Sequence, residues 1–99
     1  MSEVLILEFR DVDPALYDVV NTNLGLDPAT GTGDWPDGMV SHTGAAHLDG
    51  NGLSVVEVWE SRDAQDAFMS SRLGPALGQA SVPEPTRAEW MLLKGSHVS

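Results

Sequence analysis

Between the segments Met39–Leu48 and Leu53–Glu60 the chain reads Asp49-Gly50-Asn51-Gly52, and this interruption constrains the fold more than any other feature. Glycine and asparagine tolerate the positive φ that a tight reversal needs, so the flanking segments are predicted to fold back as an antiparallel hairpin. If Leu48 pairs with Leu53, the ladder continues Ala46 with Val55, Gly44 with Glu57 and His42 with Trp59. Side chains alternate faces along a strand. One face then carries Val40, His42, Gly44, Ala46, Val55, Glu57 and Trp59. The other carries Thr43, Ala45, Val56 and Val58, with His47 turned to that side near the reversal. The second set is small and apolar, which suits a face covered by helices.

The rest of the chain supplies partners for this hairpin. Glu3–Arg10, EVLILEFR, has the β-branched and large apolar residues of a strand buried on both faces. Asp13 before Pro14 predicts a helix start, because a carboxylate caps free amides and proline has the φ of the first turn. Leu16, Val19, Val20, Asn23 and Leu24 follow at helical spacing, and Gly25 is the stop. Leu24 to Gly38 reads as one long loop. Ser61 caps a second helix through SRDAQDAFMSSRLGPALGQA, with Ala64, Ala67 and Phe68 on one face and a break at Gly74-Pro75. Ser81 to Pro85 is a connection, and Thr86–Lys94 is the last strand.

The order β-α-β-β-α-β predicts an α+β, ferredoxin-like domain over residues 1–99, with helices on one face of a four-stranded antiparallel sheet. The first and last strands are apolar at both parities. Left alone, the second sheet face would expose a large apolar patch. A homodimer is therefore expected, its two sheets facing each other around an interior space.

Composition narrows the partners. Fifteen acidic residues against five basic ones give a net charge of -10, which repels phosphate backbones and anionic bilayers, so neither nucleic acid nor a membrane surface is expected as a partner. The apolar run VLIL is too short to span a bilayer and lacks the basic flank of a signal peptide, which points to a cytoplasmic protein. The chain has no cysteine, which excludes thiolate chemistry and disulfides. The stretch GTGDWPDG lacks the lysine and preceding strand of a phosphate loop. Ser41 and His42 are adjacent on a strand and so point to opposite faces, against a serine nucleophile. His42, His47 and His97 show no compact spacing with carboxylates, so no metal or other cofactor is expected.

The hairpin face nevertheless gathers an acid–base set. His42 is the candidate proton acceptor or donor, with Glu57 to orient and charge-balance it. Trp59 is the candidate stacking surface. Gly44 would leave room beside the carboxylate, Val40 and Val55 would line the same wall, and Trp35 in the long loop could close over a ligand. The same residues also suit a plain dimer core, in which His42 and Glu57 stabilise an interface and Trp59 packs.

The stretch GMVSHTGAAHLDGNGLSVVEVWESRDAQDAFMSSRLGPAL, with Glu57-x-Trp59 leading into Glu60-Ser61 and a helix, resembles the antibiotic biosynthesis monooxygenase-like family of the dimeric α/β-barrel superfamily. The resemblance implies that Trp59 lines a cavity. It implies either cofactor-free oxygenation of a polycyclic aromatic molecule or, as in related barrels, polyketide cyclisation. It also admits a non-catalytic ligand-binding or structural dimer. Haem-degrading relatives carry a histidine on the second helix, where this chain reads AFMSSRL, so haem chemistry is not implied.

Overall fold

In the computed structural model, which describes residues 2–97, the main sheet is antiparallel and α+β in setting, as the element order requires. The terminal residues of the 1–99 span and of the C-terminal tail lie outside the described range. The elements are β1 (Glu3–Arg10), α1 (Ala15–Leu24), β2 (Leu26–Asp27), β3 (Thr32–Gly33), β4 (Met39–Ala46), β5 (Gly52–Trp59), α2 (Arg62–Phe68), α3 (Gly74–Gln79) and β6 (Arg87–Leu92). The four long strands form one sheet in the order β4-β5-β1-β6, the ferredoxin-like arrangement.

Local chemistry sets the helix ends as expected. Asp13 Oδ1 accepts from the Ala15 amide at 3.0 Å, and Gly25, at φ 76°, closes α1 in the left-handed conformation. Ser61 Oγ accepts from the Ala64 amide at 3.2 Å and starts α2. Two expectations about irregular segments fail. The long loop contains the short β2–β3 ribbon, and the second helix is not broken at Gly74-Pro75. A π-helical turn over Met69–Leu73 joins α2 to α3. The wider turn lets the Gly74 amide reach Met69 O, and the proline that follows sits in the first turn of α3, where its missing amide costs least. Only glycine fits at position 74, because a Cβ there would lie 2.8 Å from Met69 O.

The hairpin forms, but its register differs from expectation by two residues. His42 pairs with Glu57, Gly44 with Val55 and Ala46 with Leu53. The strands stop before Leu48, which is fully exposed, and the reversal is closed by His47 N donating to Gly52 O at 3.0 Å and Gly50 N to His47 O at 2.9 Å. At the far end the ladder slips between Met39 and Ser41, so that Met39 pairs with Trp59 and Val40 is bulged. A shift of two equals the side-chain period, so the co-facial sets survive except at Val40, which the bulge removes from its face.

What changes is the side on which the helices lie. They cover the face bearing His42, Glu57 and Trp59, and not the small apolar set. Leu5, Phe9, Leu53, Val55 and Trp59 are buried there, and Trp59 meets Phe68 of α2 with ring centroids 5.9 Å apart. Thr43, Ala45 and Val56 are exposed on the opposite face, which also bears Met91 of β6 at the other edge of the sheet. The helices follow the larger apolar volume, since burying leucine, phenylalanine and tryptophan removes far more surface from water than burying threonine and alanine. The inward stripe of α1 also differs. Tyr17, Val20, Asn21 and Leu24 face the sheet, whereas Val19 and Asn23 are exposed.

Candidate functional site

Two apolar clusters hold the helices to the sheet, one around Phe9, Val12, Leu53 and Val55, the other around Leu5, Trp59 and Phe68. Between sheet and helices lies a cavity of about 120 Å³, within the one chain and not between two sheets. About 10–15 Å³ of such space suffices to admit one water, so the cavity is well above the size of a single solvent site. Its wall is apolar apart from one polar locus made by Tyr17, Asn21, His42 and Glu57.

That locus is a directed chain of hydrogen bonds. An ionised carboxylate can only accept, so His42 Nδ1–H donates to Glu57 Oε2 at 2.9 Å. In the neutral imidazole this leaves the Nε2 lone pair free, and Tyr17 Oη–H donates to it at 2.5 Å. The second carboxylate oxygen, Oε1, accepts from Trp59 Nε1–H at 3.0 Å. Glu57 is 4% exposed. A buried charge of this kind is tolerated because both of its oxygens are bonded. Among the described residues no buried side-chain polar atom lacks a partner. Burial is the main reason the Tyr17 hydroxyl is held above its ordinary value of 10.0. The negative charges of Glu57 and Asp18 add to the shift, and the Asn21 side chain opposes it.

Aromatic rings enclose the histidine. Tyr17 stacks on it at 5.8 Å and 15°, and Trp35 packs at 5.3 Å and 47°. Trp35 is set by its indole N–H donating to Thr32 O at 3.0 Å. The loop bearing it is tied to the π turn by Arg72, whose Nη2 donates to Asp34 O at 2.7 Å and Leu24 O at 3.0 Å.

The structure unites some of the sequence candidates and separates others. His42 and Glu57 are in direct contact, and Val55 and Trp35 line the cavity beside them. Trp59 does not line it. With 0% of its surface exposed, it is sealed in the core and acts on the site through Glu57. Val40 is turned outward by the bulge and is 57% exposed. Gly44 opens space for a different neighbour than expected. It lies under the Tyr17 ring, and a Cβ there would stand 2.5 Å from Tyr17 Cζ. Sequence reasoning missed Tyr17, the only tyrosine in the chain. The signal was the spacing Tyr17, Val20, Asn21, Leu24, a three-four-seven stripe one position away from the one chosen.

Among the described residues, no group of three histidine, cysteine, aspartate or glutamate side chains is placed to hold a metal ion. Among the described residues no helix is long and apolar enough to cross a membrane.

These features define a ferredoxin-like α+β protein with an apolar cavity between sheet and helices and one acid–base chain in the cavity wall. Solved structures share this fold over nearly the whole chain. A protein from Chloroflexus aurantiacus J-10-fl, provisionally named an antibiotic biosynthesis monooxygenase, superposes with a TM-score of 0.74 at 17% identity, covering 99% of this chain and 98% of that one. A monooxygenase from the ActVA-Orf6 gene of Streptomyces coelicolor, in complex with nanaomycin D, gives 0.64 at 23% identity, covering 99% and 92%. SnoaB, a cofactor-independent oxygenase from Streptomyces nogalater, gives 0.63 at 17% identity, covering 96% and 94%. The resemblance to antibiotic biosynthesis monooxygenases therefore holds at the level of the fold. No protein-family model matches the chain, and no curated protein matches it significantly.

Proposed function

We propose that this protein is a small cofactor-free monooxygenase that ionises an aromatic hydroxyl in the cavity and lets the resulting anion react with oxygen. The observation that carries the reading is the chain Tyr17–His42–Glu57–Trp59, with its tyrosine end at the wall of an otherwise apolar cavity. A phenol entering the cavity gives its proton to Tyr17 Oη while the Tyr17 proton passes to His42 Nε2. Glu57 stabilises the imidazolium, and Trp59 holds Glu57 in place. The electron-rich anion transfers one electron to oxygen, and the radical pair collapses to a carbon-bound peroxide. His42 returns the proton to form a hydroperoxide. Loss of the remaining C–H proton, with cleavage of the O–O bond, gives a carbonyl and water. One methylene and one oxygen molecule become one ketone and one water, so no external reductant is needed. The fold shared with one protein named a monooxygenase and another named a cofactor-independent oxygenase supports this reading.

We further propose that two copies pair through the open sheet face. Val56, at 40% exposure, and Met91, at 39%, stand there beside partly buried Val4, Ile6 and Val58, an apolar surface that water disfavours.

Anthrone, which tautomerises to a phenol, provides the test. The protein should consume one oxygen per anthrone and yield anthraquinone faster than the buffer reaction, and Tyr17→Phe and His42→Gln should abolish the excess. A wild-type rate equal to background, together with no binding of anthrone, would sink the reading.

A further inference from the structure

From the placement of every basic residue we infer that the cavity selects an uncharged ligand, one that carries a neutral hydroxyl and no carboxylate or phosphate. This deepens the proposed function and rests on it. The chain has five bases, and none of them lines the cavity. Arg10 is paired with Glu8 at 3.0 Å and Arg62 with Glu3 at 3.1 Å, its guanidinium over the Trp90 ring. Arg87 is bonded to Glu89, and Lys94 is exposed beyond β6. Arg72 comes nearest. Its guanidinium lies over the Phe68 ring, but its Nη2 is spent on Leu24 O and Asp34 O and faces the Asp34 carboxylate at 3.6 Å.

A second anion in the cavity would therefore meet the buried Glu57 carboxylate with no arginine or lysine in the wall to balance it. A carboxylate at the far end of a two-ring ligand whose hydroxyl meets Tyr17 lies about 12 Å from Glu57, where at an effective dielectric constant of about 20 the two charges repel enough to weaken binding roughly tenfold. Desolvating the ligand's own carboxylate in an apolar space adds to that. A neutral hydroxyl meets the opposite situation, because Tyr17 Oη can accept its hydrogen while donating to His42. If the natural ligand derives from an acid precursor, decarboxylation, esterification or lactonisation must precede this protein.

The experiment compares three two-ring probes by calorimetry: naphthol, a hydroxynaphthoate with its carboxylate on the ring remote from the hydroxyl, and the methyl ester of that acid. The ester and naphthol should bind comparably, and the acid at least tenfold more weakly. In Glu57→Gln the difference between acid and ester should shrink at least fivefold. An acid that binds within threefold of its ester to the wild-type protein, with or without proton uptake, overturns the inference and leaves the proposed function standing. So does an acid–ester gap that Glu57→Gln leaves unchanged. Failure of all three probes to bind would remove the proposed function, and the inference with it.

Discussion

Gly44→Ala should separate the stability of this protein from the function of its site. Position 44 lies mid-strand in ordinary extended backbone, so alanine is conformationally acceptable there and removes about 0.5–1 kcal/mol of the entropic handicap of glycine. The added Cβ, however, would stand 2.5 Å from Tyr17 Cζ and 2.6 Å from its Oη. The ring must retreat by about 1 Å to reach ordinary van der Waals contact. That stretches the 2.5 Å bond from Oη to His42 Nε2 to about 3.5 Å, where it no longer counts as a hydrogen bond. Losing it costs about 0.5–1.5 kcal/mol net. The two changes nearly cancel, and the melting temperature should move by no more than about 4–8 °C, the equivalent of 1 kcal/mol in a domain of this size. Because Tyr17 is the only tyrosine, phenolate absorbance reports on it alone. In the native protein it should ionise above 10.0, and in Gly44→Ala the midpoint should fall towards that ordinary value as the ring moves out to water. Conversion of anthrone should fall at least tenfold. A variant with an unchanged tyrosine midpoint and unchanged turnover would refute the claim that Gly44 holds Tyr17 against His42.

The raised Tyr17 value also sets a pH window: its contribution to stability is fully present below the unfolded value of 10.0 and is lost as pH rises through the higher folded value, so Tyr17→Phe should narrow the fall in melting temperature over that range. Trp59→Phe leaves Glu57 Oε1 without its indole donor and should cost about 1–3 kcal/mol, read as a lower denaturation midpoint. Ligand-induced quenching should survive in Trp59→Phe and largely disappear in Trp35→Phe, because Trp35 lines the cavity and Trp59 does not; the reverse pattern would place the ligand elsewhere. Val56→Asp on the open sheet face should shift sedimentation from dimer to monomer while circular dichroism is retained, and a wild-type protein that sediments as a monomer would end the dimer proposal.

The chain order, the hairpin and the placement of His42 and Glu57 on one face were legible in the residues themselves. They depend on turn chemistry and on a side-chain period of two, and a register error of two residues left the face assignment of His42, Glu57 and Trp59 intact. The capping residues Asp13, Gly25 and Ser61 were equally local, since each acts on amides or dihedrals within a few positions of itself. The side on which the helices lie was not legible. Both faces of β1 are apolar, and the outcome depends on the summed volume of Leu5, Phe9, Leu53, Val55 and Trp59 from three separated segments. Nor could strand periodicity reveal Tyr17, which reaches His42 from 25 residues away by a helix rotation that only packing fixes. The sequence also set a site role for His42 against a plain structural role. His42 has features of both, because tertiary packing closes its two ring nitrogens with Tyr17 and Glu57 while leaving its ring against open space.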